Sequence, residues 1–288
     1  MRMSRFAIAA MQIEVSTAGK NFKRMADSIE HVMLVFPWVQ MVVFSELAVS
    51  GPAAAFAEAL PGPTEAAFQA IAKRHKIWLI PGSAHERAAD GIYNTATVID
   101  PAGNVVLRYR KMFPFFPYGV AKPGVDFAIF DVPNVGRFGL SICYDIWFPE
   151  TSRTLACMGA EVLIHPTMTG TMDRDVELSI VRSTAAVNQM YVIDVNGIDG
   201  GGVGRSLIVG PEGNIIHEGG SGTEFLPIEI DLELVRRTRE RGLRTLGQPL
   251  KGFRDAPVQF HVYNPASPLR AGLAHLGPLV KPGRPGVL

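Results

Sequence analysis

The sequence predicts one α/β domain followed by an extended tail. Short apolar runs that read as buried strands recur between stretches of helical period. Some neighbouring strands are joined by turn residues and others by a helix, so hairpin and parallel connections both occur. Hydrophobic residues make up 47% of the 288 and charged residues 19%, which is enough to bury a sizeable core.

Phe6 to Ile13 is a first strand. Phe22, Met25, Ile29, Val32, Met33 and Phe36 then recur at three- and four-residue steps, the mark of an amphipathic helix. Met41 to Leu47 is the next strand. Thr64 is placed to cap a helix running to about His75, and Ile77 to Ile80 is a strand ended by Pro81-Gly82. Tyr93 to Asp100 and Val105 to Tyr109 flank the turn Pro101-Ala102-Gly103-Asn104 as a hairpin. A loop rich in proline and aromatics runs from Lys111 to Gly124. Phe127 to Val132 and Gly136 to Ile142 pair, and Pro149 opens a helix to about Met158. Val162 to His165 is a strand, Asp173 to Gln189 a helix and Tyr191 to Val195 a strand. A second hairpin turns at Pro211-Glu212-Gly213-Asn214, and a last helix begins at Leu232. The domain spans 1–264. Residues 265–288, rich in Pro and Gly, are the tail, a candidate to pack on a neighbouring subunit.

Bulk properties exclude several classes of function. Lys plus Arg total 28 against 27 Asp plus Glu, so nothing points to nucleic acid or an anionic membrane as partner. The most apolar stretch, His31 to Val49, carries Pro37, Gln40, Ser45 and Glu46 and is unsuited to a bilayer. Gln12 and Glu14 interrupt the N-terminal apolar run, so it reads as a strand and not a signal peptide. With two cysteines, Cys143 and Cys157, a disulfide framework is not expected, and the cytoplasm is the default location.

Familiar motifs fail on inspection. His85-Glu86 lacks the second histidine of a zincin, because position 89 is Ala. No CxxC pair exists to hold zinc. The glycines between 200 and 204 do not satisfy a dinucleotide fingerprint. Gly139-Leu140-Ser141-Ile142-Cys143 departs from a serine-hydrolase elbow at its last position. No metal or cofactor is therefore expected. His165, in Ile164-His165-Pro166, reads as a satisfied strand-end residue, and Cys157 as a mid-helix packing residue.

Three segments share one form, an apolar strand with a reactive side chain at its end: Val42 to Glu46, Leu107 to Lys111 and Phe138 to Cys143. Singly, each side chain has an ordinary reading: a solvated carboxylate, an exposed lysine, an inert buried thiol. Together they supply a base, a cation and a nucleophile at strand ends, where sites in α/β sheets assemble. A carboxylate after four apolar or small residues is partly desolvated, as a general base requires. Cys143 stands just ahead of a helix start, whose amides favour a thiolate.

With these residues in place, the chain resembles the nitrilase, or carbon–nitrogen hydrolase, superfamily from about residue 5 to 255. The blocks that carry the likeness, in order, are FSELAVSG, YRKMFPF, SICYDIWFPETSRTLACMGAEVLIHPT, GRSLIVGPEGNIIHEGG and EIDLELVRRTRE. The resemblance implies a four-layer α-β-β-α sandwich and a catalytic triad of Glu46, Lys111 and Cys143. It also implies homodimers or higher homo-oligomers joined through the helices. By the same resemblance Glu46 would serve in turn as base, acid and base. Lys111 and the Tyr144 backbone N–H would, on that resemblance, hold the oxyanion.

One departure stands out. Many members of the family carry a second glutamate in the loop after the lysine, and here Gly119 falls at that place, with Tyr118 beside it to offer a hydroxyl instead. Tyr144-Asp145 after the nucleophile resembles the amidase and carbamoylase branches. Phe113, Phe115, Phe116, Tyr118 and Trp147 are candidate pocket walls, and Tyr118, Tyr144 and Trp147 are the candidate substrate contacts. The reading is thus a thiol hydrolase releasing ammonia from a small amide or N-carbamoyl compound. The alternatives are a nitrilase acting on a small nitrile and a catalytically silent, ligand-binding member.

Overall fold

The computed structural model describes residues 4–264, 266–281 and 283. In chain order its elements are β1 (Arg5–Gln12), β2 (Glu14–Val15), α1 (Phe22–Val35), β3 (Met41–Phe44), α2 (Pro63–His75), β4 (Trp78–Ile80), β5 (Ser83–Ala88), β6 (Gly91–Ile99) and β7 (Val105–Arg110). There follow β8 (Ala128–Val132), β9 (Gly136–Leu140), α3 (Pro149–Cys157), β10 (Val162–Thr167), α4 (Arg174–Asn188), β11 (Tyr191–Asn196), β12 (Ile198–Asp199) and β13 (Gly202–Val203). The last are β14 (Leu207–Val209), β15 (Ile215–Glu218), β16 (Glu224–Asp231), α5 (Leu232–Arg241) and α6 (Pro249–Asp255). One sheet runs β16-β1-β3-β4-β6-β5, with β7 also on β6, and the other runs β15-β14-β11-β10-β9-β8.

The alternation of apolar side chains sorts these strands into four layers. In β1, Phe6, Ile8 and Ala10 face the second sheet, while Ala9 and Met11 face α1 and α2. In β3, Met41 and Val43 point inward and Val42 and Phe44 outward. The second sheet mirrors this. Val162, Ile164, Tyr191 and Ile193 join the inter-sheet core, whereas Leu163 and Val192 pack on Leu155 of α3 and Val181 of α4. The central strands of the two sheets, β1, β3, β10 and β11 among them, are buried on both faces, which is why they read as continuous apolar runs. Phe138 anchors the inter-sheet layer, meeting Phe6 edge-on at 5.5 Å and Phe130 at 5.4 Å between ring centroids. The result is the α-β-β-α sandwich expected.

Some expectations required correction. Thr64 is not a cap: Pro63 takes the first turn after Gly62, since its missing N–H is no loss there. The strand β5 was overlooked because His85, Glu86 and Arg87 hide its alternation. Cys157 ends α3 and is exposed, not packed mid-helix. Beyond the unanticipated α6, the described tail residues are exposed except for half-buried Ser267, with a 3-10 stretch over Pro268–Leu276 in place of the extended chain expected. Pro265, Pro282 and residues 284–288 of the tail lie outside the described residues. Among the described residues no helix is long and apolar enough to cross a membrane.

The parallel strands β1, β3 and β4 of one sheet and β9, β10 and β11 of the other end at the same place. The N–H of Glu46 donates to the Thr167 carbonyl at 3.1 Å, tying the ends of β3 and β10 together across the layers. That junction is where the site forms.

Candidate active site

Glu46 lies two residues past β3 in a tight turn. Leu47 is held at φ 51°, its N–H donating to Ser83 Oγ at 2.9 Å. Gly82 sits against this turn at φ +76°, and a Cβ there would fall 1.8 Å from the Ser45 carbonyl oxygen, so only glycine fits. Lys111 directly follows β7. Its N–H donates to Asn94 O and its carbonyl accepts from Gly124, fixing the residue at both peptide groups. Cys143 follows β9 at φ 46° and opens a 3-10 turn over Cys143–Trp147. The first amides of such a turn, Tyr144 N–H among them, have no acceptor within it.

The structure brings Glu46, Lys111 and Cys143 into one cavity of about 370 Å³. Lys111 Nζ donates to Glu46 Oε1 at 2.6 Å, and Asn94 Nδ2 donates to the same oxygen at 2.7 Å. Both bonds fall on Oε1, which leaves Oε2 free to exchange a proton. Burial opposes the Lys111 charge, but the negative charges around it, that of Cys143 once it ionises and those of Glu46 and Asp145, outweigh burial and hold the ammonium above the usual lysine range. Burial pushes the Cys143 thiol well up and Glu46 adds to the effect, against Lys111 and a bond from the Met168 N–H. The thiol is therefore neutral at rest. The thiolate expected from the following turn is a correction: one short turn's amides do not offset burial beside a carboxylate.

Asp145 fastens the site. Its Oδ2 accepts from Tyr109 Oη at 2.7 Å and Ile142 N–H at 2.8 Å, and its Oδ1 accepts from Phe113 N–H at 2.8 Å. One carboxylate thus joins β7, the loop after Lys111 and the nucleophile turn. Burial drives its pKa up to about 6, against the pull of Lys111 and these three donors. Glu177 of α4, which also lines the cavity, accepts from Thr169 Oγ1 at 2.6 Å and Arg174 Nη1 at 2.7 Å. Arg174 in turn reaches Asp194 and the Arg205 carbonyl.

Tyr118, Gly119, Tyr144 and Trp147 all line the cavity, together with Phe115. Tyr118 is about half exposed and stacks on Phe115 at 5.1 Å, and Lys111 is paired with Glu46 and not with Tyr118. Phe113 stacks on Phe148 at 3.6 Å, and neither Phe113 nor Phe116 lines the cavity. Ser141 is fully buried and shares a 2.8 Å hydrogen bond with His165 Nδ1. His165 is only half satisfied, since its Nε2 has no hydrogen-bond partner and Asp194 Oδ1 stands 3.8 Å away, and burial lowers its pKa to about 3. Asn94, Asp145, Glu177 and His85 escaped the sequence reading. Asn94 and His85 carried one signal, a polar residue facing inward on a strand. Among the described residues no group of three or more His, Cys, Asp or Glu side chains could hold a metal.

A family model described as carbon-nitrogen hydrolase matches residues 5–240. The chain belongs to that family, within the nitrilase superfamily. It is 32% identical over 192 residues to a formamidase of Bacillus cereus, an alignment covering 63% of this chain and 58% of that protein. The match thus spans less than two thirds of the formamidase's length. Among solved structures it is similar to Saccharomyces cerevisiae Nit3, a member of branch 10 of the superfamily, with TM-score 0.77 and 28% identity over 83% of this chain and 94% of that one. A carbon–nitrogen hydrolase from Helicobacter pylori G27 matches with TM-score 0.77 and 25% identity, over 89% of this chain and 97% of that one.

Proposed function

We propose that the protein hydrolyses the C–N bond of a small amide or N-carbamoyl compound and releases ammonia through a thioester on Cys143. The observation that carries this is Glu46, whose two hydrogen bonds both fall on Oε1 while Lys111 and Cys143 share its cavity. Glu46 Oε2 takes the thiol proton as Sγ attacks the carbonyl carbon. This order suits a thiol that is neutral until substrate arrives. The Lys111 ammonium and the Tyr144 N–H receive the oxyanion. Glu46 gives its proton to the nitrogen, the C–N bond breaks and ammonia leaves. Glu46 then deprotonates a water that hydrolyses the thioester, and the acid and the free thiol are regenerated. Phe115, Tyr118, Tyr144 and Trp147 shape the acyl end of the cavity, which suits a small substituent.

The formamidase relative supports the amide reading. Homo-oligomer formation, as a homodimer or a larger assembly, is part of the same proposal. It is supported by an apolar groove on the outer helical layer lined by Ile146, Ile180, Val187, Phe253, Phe260 and Tyr263. A cytoplasmic location, in keeping with two free thiols, completes it. The test is ammonia release from a panel of amides, ureido acids and nitriles by wild type and Cys143→Ala. Release from amides or ureido acids that the substitution abolishes supports the proposal, and release from nitriles alone overturns it.

A further inference from the structure

We infer that His85 is a specificity-determining residue of this amide site, receiving an N–H of the departing amine beside Glu46. The inference rests on the hydrolytic reading above. His85 lies on β5 directly opposite Asn94 on β6. Directly paired residues of an antiparallel ladder project to the same face with Cβ atoms about 5 Å apart. Asn94 Nδ2 is bonded to Glu46, so Glu46, Asn94 and His85 form a contiguous polar wall of the cavity.

Two atoms of that wall have nothing to bind. His85 Nδ1 and Asn94 Oδ1 are both buried and lack a hydrogen-bond partner, although the two residues are 6% and 4% exposed. An unpaired buried acceptor is costly unless something occupies it during the working cycle. The imidazole is neutral near pH 7, because burial lowers its pKa and the charge of Lys111 reinforces burial against the opposing pull of Glu46. A neutral ring with its proton on Nε2 offers the Nδ1 lone pair as an acceptor.

The leaving group supplies the missing donors. A primary amide carries two N–H bonds, and the nitrogen gains a third, with positive charge, when Glu46 protonates it. Acceptors beside that nitrogen are then used more strongly in the transition state than in the ground state. An N-methyl amide replaces one N–H by a methyl group, which leaves an acceptor unpaired. Sites built to bond an N–H reject analogues that lack it.

The test compares kcat/KM for a primary amide and its N-methyl analogue in wild type, His85→Ala and His85→Gln, with Tm measured alongside. His85→Ala is expected to lose about 10–100-fold on the primary amide and much less on the N-methyl amide, so that discrimination collapses. His85→Gln, which keeps a side-chain acceptor, recovers part of it and serves as the readout if the alanine variant does not fold. Equal loss on both amides in a folded variant overturns the inference. A wild type that releases no amine from any amide overturns the hydrolytic reading itself, and this inference with it.

Discussion

Lys111 Nζ and Glu46 Oε1 lie 2.6 Å apart, and their side chains are only 4% and 3% exposed. A buried ion pair is costly to break from one side only, because the survivor is an unpaired charge. It also fixes which carboxylate oxygen is free for proton transfer.

Lys111→Met is therefore expected to destabilise the fold by about 3–5 kcal/mol, read by urea denaturation. Glu46→Gln keeps a bond to Lys111 but loses the base, and its kcat is expected to fall by about 10²–10⁴-fold. A Glu46→Gln protein with near wild-type kcat would remove Glu46 from the mechanism.

Asp145 should make stability depend on pH in a direction opposite to that of an ordinary salt-bridged carboxylate. Its pKa rises from 3.8 to about 6 on folding, so the native state binds the proton more tightly. The stability this contributes is full below about pH 4 and is lost as pH rises through about 6, a change of up to about 3 kcal/mol. Asp145→Asn removes that titration. The gap in stability between wild type and Asp145→Asn is expected to widen as pH falls from about 7 to about 4, and a constant gap contradicts the assignment.

Cys143 should be a thiol, not a thiolate, near neutral pH. In a Cys157→Ser background, which removes the exposed second thiol, the ultraviolet thiolate absorbance is expected to stay absent to beyond about pH 8. A thiolate signal already present at about pH 6 contradicts the order of proton transfer given above.

Arg174 bridges Glu177 and Asp194 in a place where all three side chains are almost fully buried. Burial pushes Asp194 up to about pH 6, and Arg174 is what restrains it. Arg174→Met leaves two carboxylates facing one another and is expected to cost about 3–5 kcal/mol at pH 7. The loss shrinks toward pH 5, where Asp194 takes up a proton. Denaturation at the two pH values measures the difference.

The sequence and the structure agree most closely where burial is two-sided. In Phe6 to Ile13 and Val162 to His165 the apolar run leaves little choice of conformation, and the strands fall within a residue or two of their expected ends. Glu46 and Cys143 stand just past strands that end in fully buried residues, whereas Lys111 follows β7, which is buried only in part and was legible from the apolar start of its run. Ser83–Ala88 was not, since its buried polar residues, Ser83, His85 and Glu86, lie on both faces, belong to the site and its ion pairs, and break the apolar alternation. Asp145 was hidden for a related reason. Its role depends on three donors from Tyr109, Phe113 and Ile142 that only the fold gathers. Thr64 and Cys157 were misread at helix ends, where one residue of displacement changes a cap or an exposure.

The most direct test of the central claim is to quench a reaction with a small primary amide in acid and weigh the protein, again in the Cys157→Ser background. The account predicts a mass increase equal to the acyl group, mapped to the peptide containing Cys143 and absent from Cys143→Ala. Steady turnover in Cys143→Ala, or an adduct on any other residue, would contradict it.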